Sequence, residues 1–165
     1  MPGRRTTKSS ETICALLTAL DEAYDHRAWH GTNLHGSLRG LSPSQALWRP
    51  APGRHNIWEE VLHAAYWKYV LRQRLVRGKR GQFPYKGNNW FPSPDAAGPR
   101  EWKQALALLQ QTHDSLRQAV AQFPAARLDE RLQGRFSAFD AILGVAYHDI
   151  YHAGQIQLLK RLQKA

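Results

Sequence analysis

Apolar residues recur at three- and four-residue spacing in four separate stretches of this chain. No stretch alternates apolar and polar residues convincingly, as a half-buried strand would. In 165 residues, four such stripes are best buried by packing helix on helix. Ile13, Leu16, Leu17, Leu20 and Tyr24 share one face of the first stretch, which starts near Ser10 or Glu11. Leu34 and Leu38 keep its phase, so the spacing carries this helix past Gly31. Ser42 and Pro43 read as the cap and first-turn proline of a short helical turn. Pro50, Pro52 and Gly53 then interrupt the chain. A second long helix is predicted from about Asn56 to Arg77, with Trp58, Val61, Leu62, Tyr66, Tyr69 and Val70. A third starts at Pro99, carries Trp102, Leu106, Leu109, Leu116 and Val120, and ends near Phe123-Pro124. Ser137 caps a fourth, about Ala138 to Gln163. The expected fold class is all-α, a four-helix bundle. Residues 1–10 read as a flexible basic tail before one domain, residues 11–165.

After Gly78 about twenty residues follow neither period, yet they hold Phe83, Tyr85, Trp90 and Phe91. Connections of this length are often lids or binding loops. The plainer expectation for 78–98 is a loop pinned by its own aromatics. Elsewhere the composition mainly excludes. A chain that is 42% hydrophobic with six Trp is not disordered. No apolar run approaches the roughly 20 residues of a membrane span. One cysteine excludes an internal disulfide, and MPGRRTTKSSET lacks the apolar core of a signal peptide. A cytoplasmic location is therefore expected. Lys and Arg exceed Asp and Glu by 23 − 13 = 10, which favours acidic partners: nucleic acid, anionic lipid or an anionic small molecule. No nucleic-acid motif accompanies the charge, so nucleic acid is the weakest of these.

The informative chemistry lies in AYHDIYHAGQIQLLKRL. His148 and His152 are one helical turn apart, and they fall on the side of Gln155, Leu159 and Leu162 rather than that of Lys160, Arg161 and Lys164. Two inward imidazoles need partners, and one metal ion would serve both. The alternative is a pair of core histidines satisfied by side chains or backbone. His63 on the second helix also faces inward by phase, with Lys68 and Arg72 roughly opposite. Three histidines would leave a Zn²⁺ or Ni²⁺ ion with open positions, the arrangement of a catalytic rather than a structural site. His26 and His30 repeat the spacing but sit off the apolar face, though His30 could still approach the site. His55 and His113 suit surface or structural roles. His148 to His152 also has the spacing of a metalloprotease HExxH, but Asp149 replaces the glutamate and falls toward the polar side.

Three features together resemble the DinB/YfiT-like superfamily over about residues 11–163. They are the run from AWHGTNLHGSLRGLSPSQALWRP through HNIWEEVLHAAYWKYVLRQRL, the long connection, and the terminal HDIYHAGQIQLLKR with its H-x-x-x-H-x-x-Q ending. The resemblance implies an up-down-down-up bundle with the long connection between its second and third helices. It implies His63, His148 and His152 as ligands of Zn or Ni, and a homodimer. Phe139, Leu143 and Ile150 on the outer side of the last helix would suit a subunit contact, or equally a neighbouring helix. Some members resemble S-transferases or isomerases that use low-molecular-weight thiols such as mycothiol, bacillithiol or glutathione. Many have no known activity. The leading expectation is thus a metal-dependent enzyme acting on a thiol or anionic small molecule. Lys68, Arg72, Arg74, Lys79 and Arg80 would steer the ligand, while Gln155 and, more weakly, Tyr66 and Tyr151 are candidates to orient it. A metal-dependent hydrolase is a variant. A metal- or ligand-binding module without turnover is the alternative.

Overall fold

The computed structural model describes residues 3–77 and 82–164. It is mostly helical. Four long helices carry most of the chain: α1 (Gly3–Tyr24), α4 (Ile57–Val76), α5 (Pro99–Ala121) and α6 (Ala138–Leu162). Two short ones, α2 (Leu34–Ser37) and α3 (Pro43–Leu47), lie between α1 and α4. A hairpin of β1 (Arg131–Gln133) and β2 (Phe136–Ser137) precedes α6, pairing Arg131 with Ser137 and Gln133 with Phe136. Its strands are too short for an alternation to register in sequence.

Local chemistry sets the helix starts. Asn56, Ser42 and Ser137 each accept a bond from a first-turn backbone N–H, and Ser42 and Ser137 complete capping boxes with Gln45 and Asp140. Two expected boundaries move. The first helix begins at Gly3, not near Ser10. It also stops at Tyr24 instead of passing Gly31. Gly31 is left-handed at φ 95° and turns the chain there. Asn33 then starts α2 afresh, donating to the His26 carbonyl at 2.7 Å and accepting from Gly36 N at 2.8 Å. Leu34 and Leu38 stay buried, but as part of a separate element.

Buried apolar side chains form two clusters. One gathers Ile57, Trp58, Val61 and Leu62 of α4, Trp102 and Leu109 of α5, and Ile156 and Leu159 of α6. The other gathers Leu16 and Leu20 of α1, Leu71 and Leu75 of α4, Leu116 and Val120 of α5, and Ile142 and Val145 of α6. Between them the helices place buried polar groups: Lys68 on α4, Thr112 and His113 on α5, Asp149 and His152 on α6. Phe139, Leu143 and Ile150 pack against the second cluster and are half-buried there.

Two expectations about charge are corrected. Lys68, expected opposite His63 on the solvated face, is fully buried and paired with Asp149. Asp149, expected toward the polar side, is equally buried. Burial pushes Lys68 down and Asp149 up, and their contact opposes both shifts.

Candidate metal centre

Helix phase brings three imidazoles together. His63 projects from α4, and His148 and His152 from successive turns of α6. His63 Nε2 lies 3.0 Å from His148 Nε2, which lies 2.9 Å from His152 Nε2. His63 and His152 are buried and His148 is half-buried.

The opposite nitrogens decide what these Nε2 atoms carry. His63 Nδ1 meets the Asn89 carbonyl at 2.7 Å. A carbonyl only accepts, so Nδ1 holds the proton and Nε2 a lone pair. His152 Nδ1 donates to the carboxylate of Glu60, a residue 2% exposed, so in the neutral ring the lone pair is on Nε2. His148 Nδ1 is buried without a hydrogen-bond partner among the described residues. Its single ring proton, wherever it sits, cannot serve both facing lone pairs. Burial, first, and then the neighbouring His152 and His55 hold His63 down at about 4, against the bond from Asn89. Burial, then His152, His63 and Lys68, hold His148 down at about 3. At neutral pH both rings are therefore uncharged. Three convergent imidazole nitrogens, two of them on uncharged rings, are a donor set that fits a divalent cation. One ligand nitrogen from each ring lies within 4.8 Å of the other two.

The connection before α5 supplies two pieces that spacing could not reveal. Asn89, left-handed at φ 63°, turns its carbonyl onto His63, and its side-chain oxygen accepts from Trp67 Nε1 at 2.9 Å. Trp90 stacks on His63 with centroids 3.9 Å apart and on His55 at 3.6 Å, so it lies between the two rings. Phe83, Tyr85 and Phe91 pack on one another, with Tyr66 against Phe83 and Phe91, and pin the rest of the loop. For the described residues 82–98, the packing is that of the plainer expectation, a loop pinned by its own aromatics.

Other candidates scatter. Gln155, with its amide nitrogen turned to Glu60, donates to Oε1 at 2.9 Å and accepts from the Tyr151 hydroxyl at 2.7 Å. It supports the acceptor of His152 and not a ligand directly. Tyr66 joins the aromatic cluster of the loop rather than the histidines. His26 and His30 are exposed between α1 and α2, outside the three-histidine cluster. His55 binds Glu59 at 2.9 Å. His113 is buried and stacks on Tyr24 at 3.7 Å. Asp149 is engaged by Lys68, which removes it as the base of an HExxH-like pair. Arg72 lines a separate cleft with Tyr69 and Phe83, while Lys79 and Arg80 lie outside the described residues.

A cavity of roughly 580 Å³ opens beside His148, between α4 and α6, with the hairpin as its outer wall. Arg74 lines it. Sequence phase gave no sign of it, because the hairpin that closes it was not foreseen.

A family model described as the DinB superfamily matches residues 24–156, well over half of the chain. No curated protein and no solved structure matches it. No helix among the described residues is long and apolar enough to cross a membrane.

Proposed function

The chain belongs to the DinB superfamily, and from that premise we propose that it is a metal-dependent enzyme whose His63, His148 and His152 hold one Zn²⁺ or Ni²⁺ ion. The observation that carries this reading is the convergence of three Nε2 atoms, two of them on rings whose opposite nitrogens donate to fixed acceptors. Three protein ligands leave open positions, and an ion held there would lower the pKa of a thiol or a water that reaches it. Glu60 and the Asn89 carbonyl hold two of the rings in the required tautomer. Trp90 and the loop keep water off the far face of His63. The half-buried His148 and the cavity beside it give a small molecule its approach. The reaction we favour is S-transfer from a low-molecular-weight thiol, with metal-assisted hydrolysis as its variant.

The up-down-down-up order belongs to the same reading. Trp58 meets Trp102 near the starts of α4 and α5, with centroids 5.1 Å apart, which supports those two helices running together. α4 and α5 pass from the first apolar cluster to the second, and α1 and α6 from the second to the first. Clusters shared by all four support one domain over 11–165. Tyr147, Tyr151 and Leu158, exposed along α6, support a homodimer.

The test is metal content. Protein purified without a tag or chelating column is expected to carry about one Zn or Ni per chain by elemental mass spectrometry. His63→Ala, His148→Ala and His152→Ala should each lose it while circular dichroism stays helical. The loaded protein is then offered glutathione, mycothiol or bacillithiol with chlorodinitrobenzene. Thiol consumption above the metal-free rate supports the transferase. Metal without turnover on thiols or esters would leave a binding module, and no metal after Zn²⁺ and Ni²⁺ add-back would end the reading.

A further inference from the structure

We propose that the protein has a second ligand site, a cleft at the end of α1 that takes a small molecule with an apolar body and one anionic group. The cleft lies between Tyr24, the last residue of α1, the segment after α2, and the first half of α5. Its volume, roughly 570 Å³, is that of small-molecule sites. None of His63, His148 and His152 lines it, so the inference goes beyond the metal reading and does not depend on it.

The floor calls for an apolar body. Tyr24, Leu38, Trp102 and Leu109 line the cleft from buried positions. The polar tips of the two aromatic residues are already bonded. Tyr24 OH donates to Gln110 Oε1 at 3.0 Å, and Trp102 Nε1 donates to the Leu41 carbonyl at 3.2 Å. Both rings are thereby held in place, and they present carbon to an occupant.

The rim calls for an anion. Arg39 and Lys103 line the cleft from exposed positions, and no carboxylate lines it among the described residues. Neither side chain has an ion-pair or hydrogen-bond partner among the described residues. The carboxylates nearest in sequence stand outside the lining and hold other donors. Asp25 pairs with His26 Nδ1 at 2.6 Å, Glu101 accepts from Gly98 N at 2.9 Å, and Asp114 accepts from Gln110 Nε2 at 2.9 Å. Lys160 brings a third cation to the segment that carries Arg39. Its ammonium donates to the Ser37 and Arg39 carbonyls at 2.9 and 3.3 Å and ties that segment to α6. An anionic group between Arg39 and Lys103 would meet two unpaired cations, one of them on a backbone already fixed.

The test is nuclear magnetic resonance of isotope-labelled, metal-free protein, read at the assigned indole N–H signals. Trp102 reports this cleft, and Trp67 reports the cavity beside His148. Octanoate should shift the Trp102 signal in a saturable way and leave that of Trp67 unmoved. Octanol, with the same chain and no charge, should bind at least about tenfold more weakly. Arg39→Gln combined with Lys103→Gln should erase that difference. Both side chains are exposed, so the double variant should keep its fold, checked by circular dichroism. A Trp102 signal that octanoate leaves unmoved would overturn the proposal, as would a shift at Trp67 in its place. Equal affinity for octanoate and octanol would do the same, and so would a charge preference that survives the double variant. A Trp102 signal that moves with protein concentration and ignores octanoate would assign the cleft to a second copy instead. The titration is made without metal, so none of these outcomes bears on the histidine site.

Discussion

Glu60 does for His152 what the Asn89 carbonyl does for His63: it accepts a hydrogen bond from Nδ1 and so turns Nε2 toward the cluster. Removing its charge while keeping its shape should therefore loosen the ion without removing a ligand. Glu60→Gln is expected to lower Zn²⁺ affinity by about 10–100-fold, read by competition with a fluorescent chelator. Lys68 and Asp149 are a different case, because neither touches solvent. Lys68→Met leaves a buried carboxylate alone and should destabilise the fold by about 3–5 kcal/mol at neutral pH, measured by urea unfolding. Lys68→Met combined with Asp149→Leu should recover most of that loss. His113 sets an acid limit. Burial first, then Lys68, hold it down at about 3 in the folded protein, against an ordinary 6.5. Below pH 6.5 the unfolded chain takes up a proton that the folded chain refuses. Its stabilising contribution is therefore full above pH 6.5 and lost as the pH falls toward 3. His113→Phe, which keeps a ring on Tyr24, should make that acid slope shallower by about one proton.

At the scale of elements, Asn56 ties the start of α4 to its surroundings. Its side chain accepts from Glu59 N at 2.9 Å, and donates to the Leu47 carbonyl at 3.2 Å and Ser93 Oγ at 2.8 Å. Asn56→Ala loses the cap together with two links to neighbouring segments. It should cost about 2 kcal/mol or more in thermal or urea unfolding, the upper end for a cap. Long periodic segments were legible from sequence alone. α4, α5 and α6 begin within one residue of the positions their caps and prolines marked. What misled was phase without chain geometry. Leu34 and Leu38 sit in phase with Leu20 and Tyr24, yet a left-handed Gly31 separates the two helices. Lys68 and Asp149 each read as polar-side residues, since period counts faces and not partners. A pair 81 residues apart becomes visible only when α4 meets α6. The three histidines came together because helix phase is a local property. Glu60, one turn before His63, could have been found by the same phase, whereas Asn89 and Trp90 act from a segment with no period at all.

On the scale of the whole molecule, the three-histidine cluster joins α4 to α6 across 85 residues of sequence, and so an ion there should stabilise the fold globally. At one hundred times its Kd a Zn²⁺ ion should add about 2.7 kcal/mol to unfolding, provided the unfolded chain binds none. A rise of roughly 5–10 °C in Tm is expected for a domain of this size, reversed by a chelator and absent in His63→Ala. Thermal scans with and without Zn²⁺ check it. The buried Lys68–Asp149 pair, finally, bears on how such a sequence can change over generations. Either residue alone is a liability, and the pair is replaceable by apolar side chains only if both go. Single substitutions at these two places lead downhill, so drift must cross a valley of unstable intermediates or wait for two changes together. The ionic form is therefore entrenched by its own history, whatever its net contribution to stability.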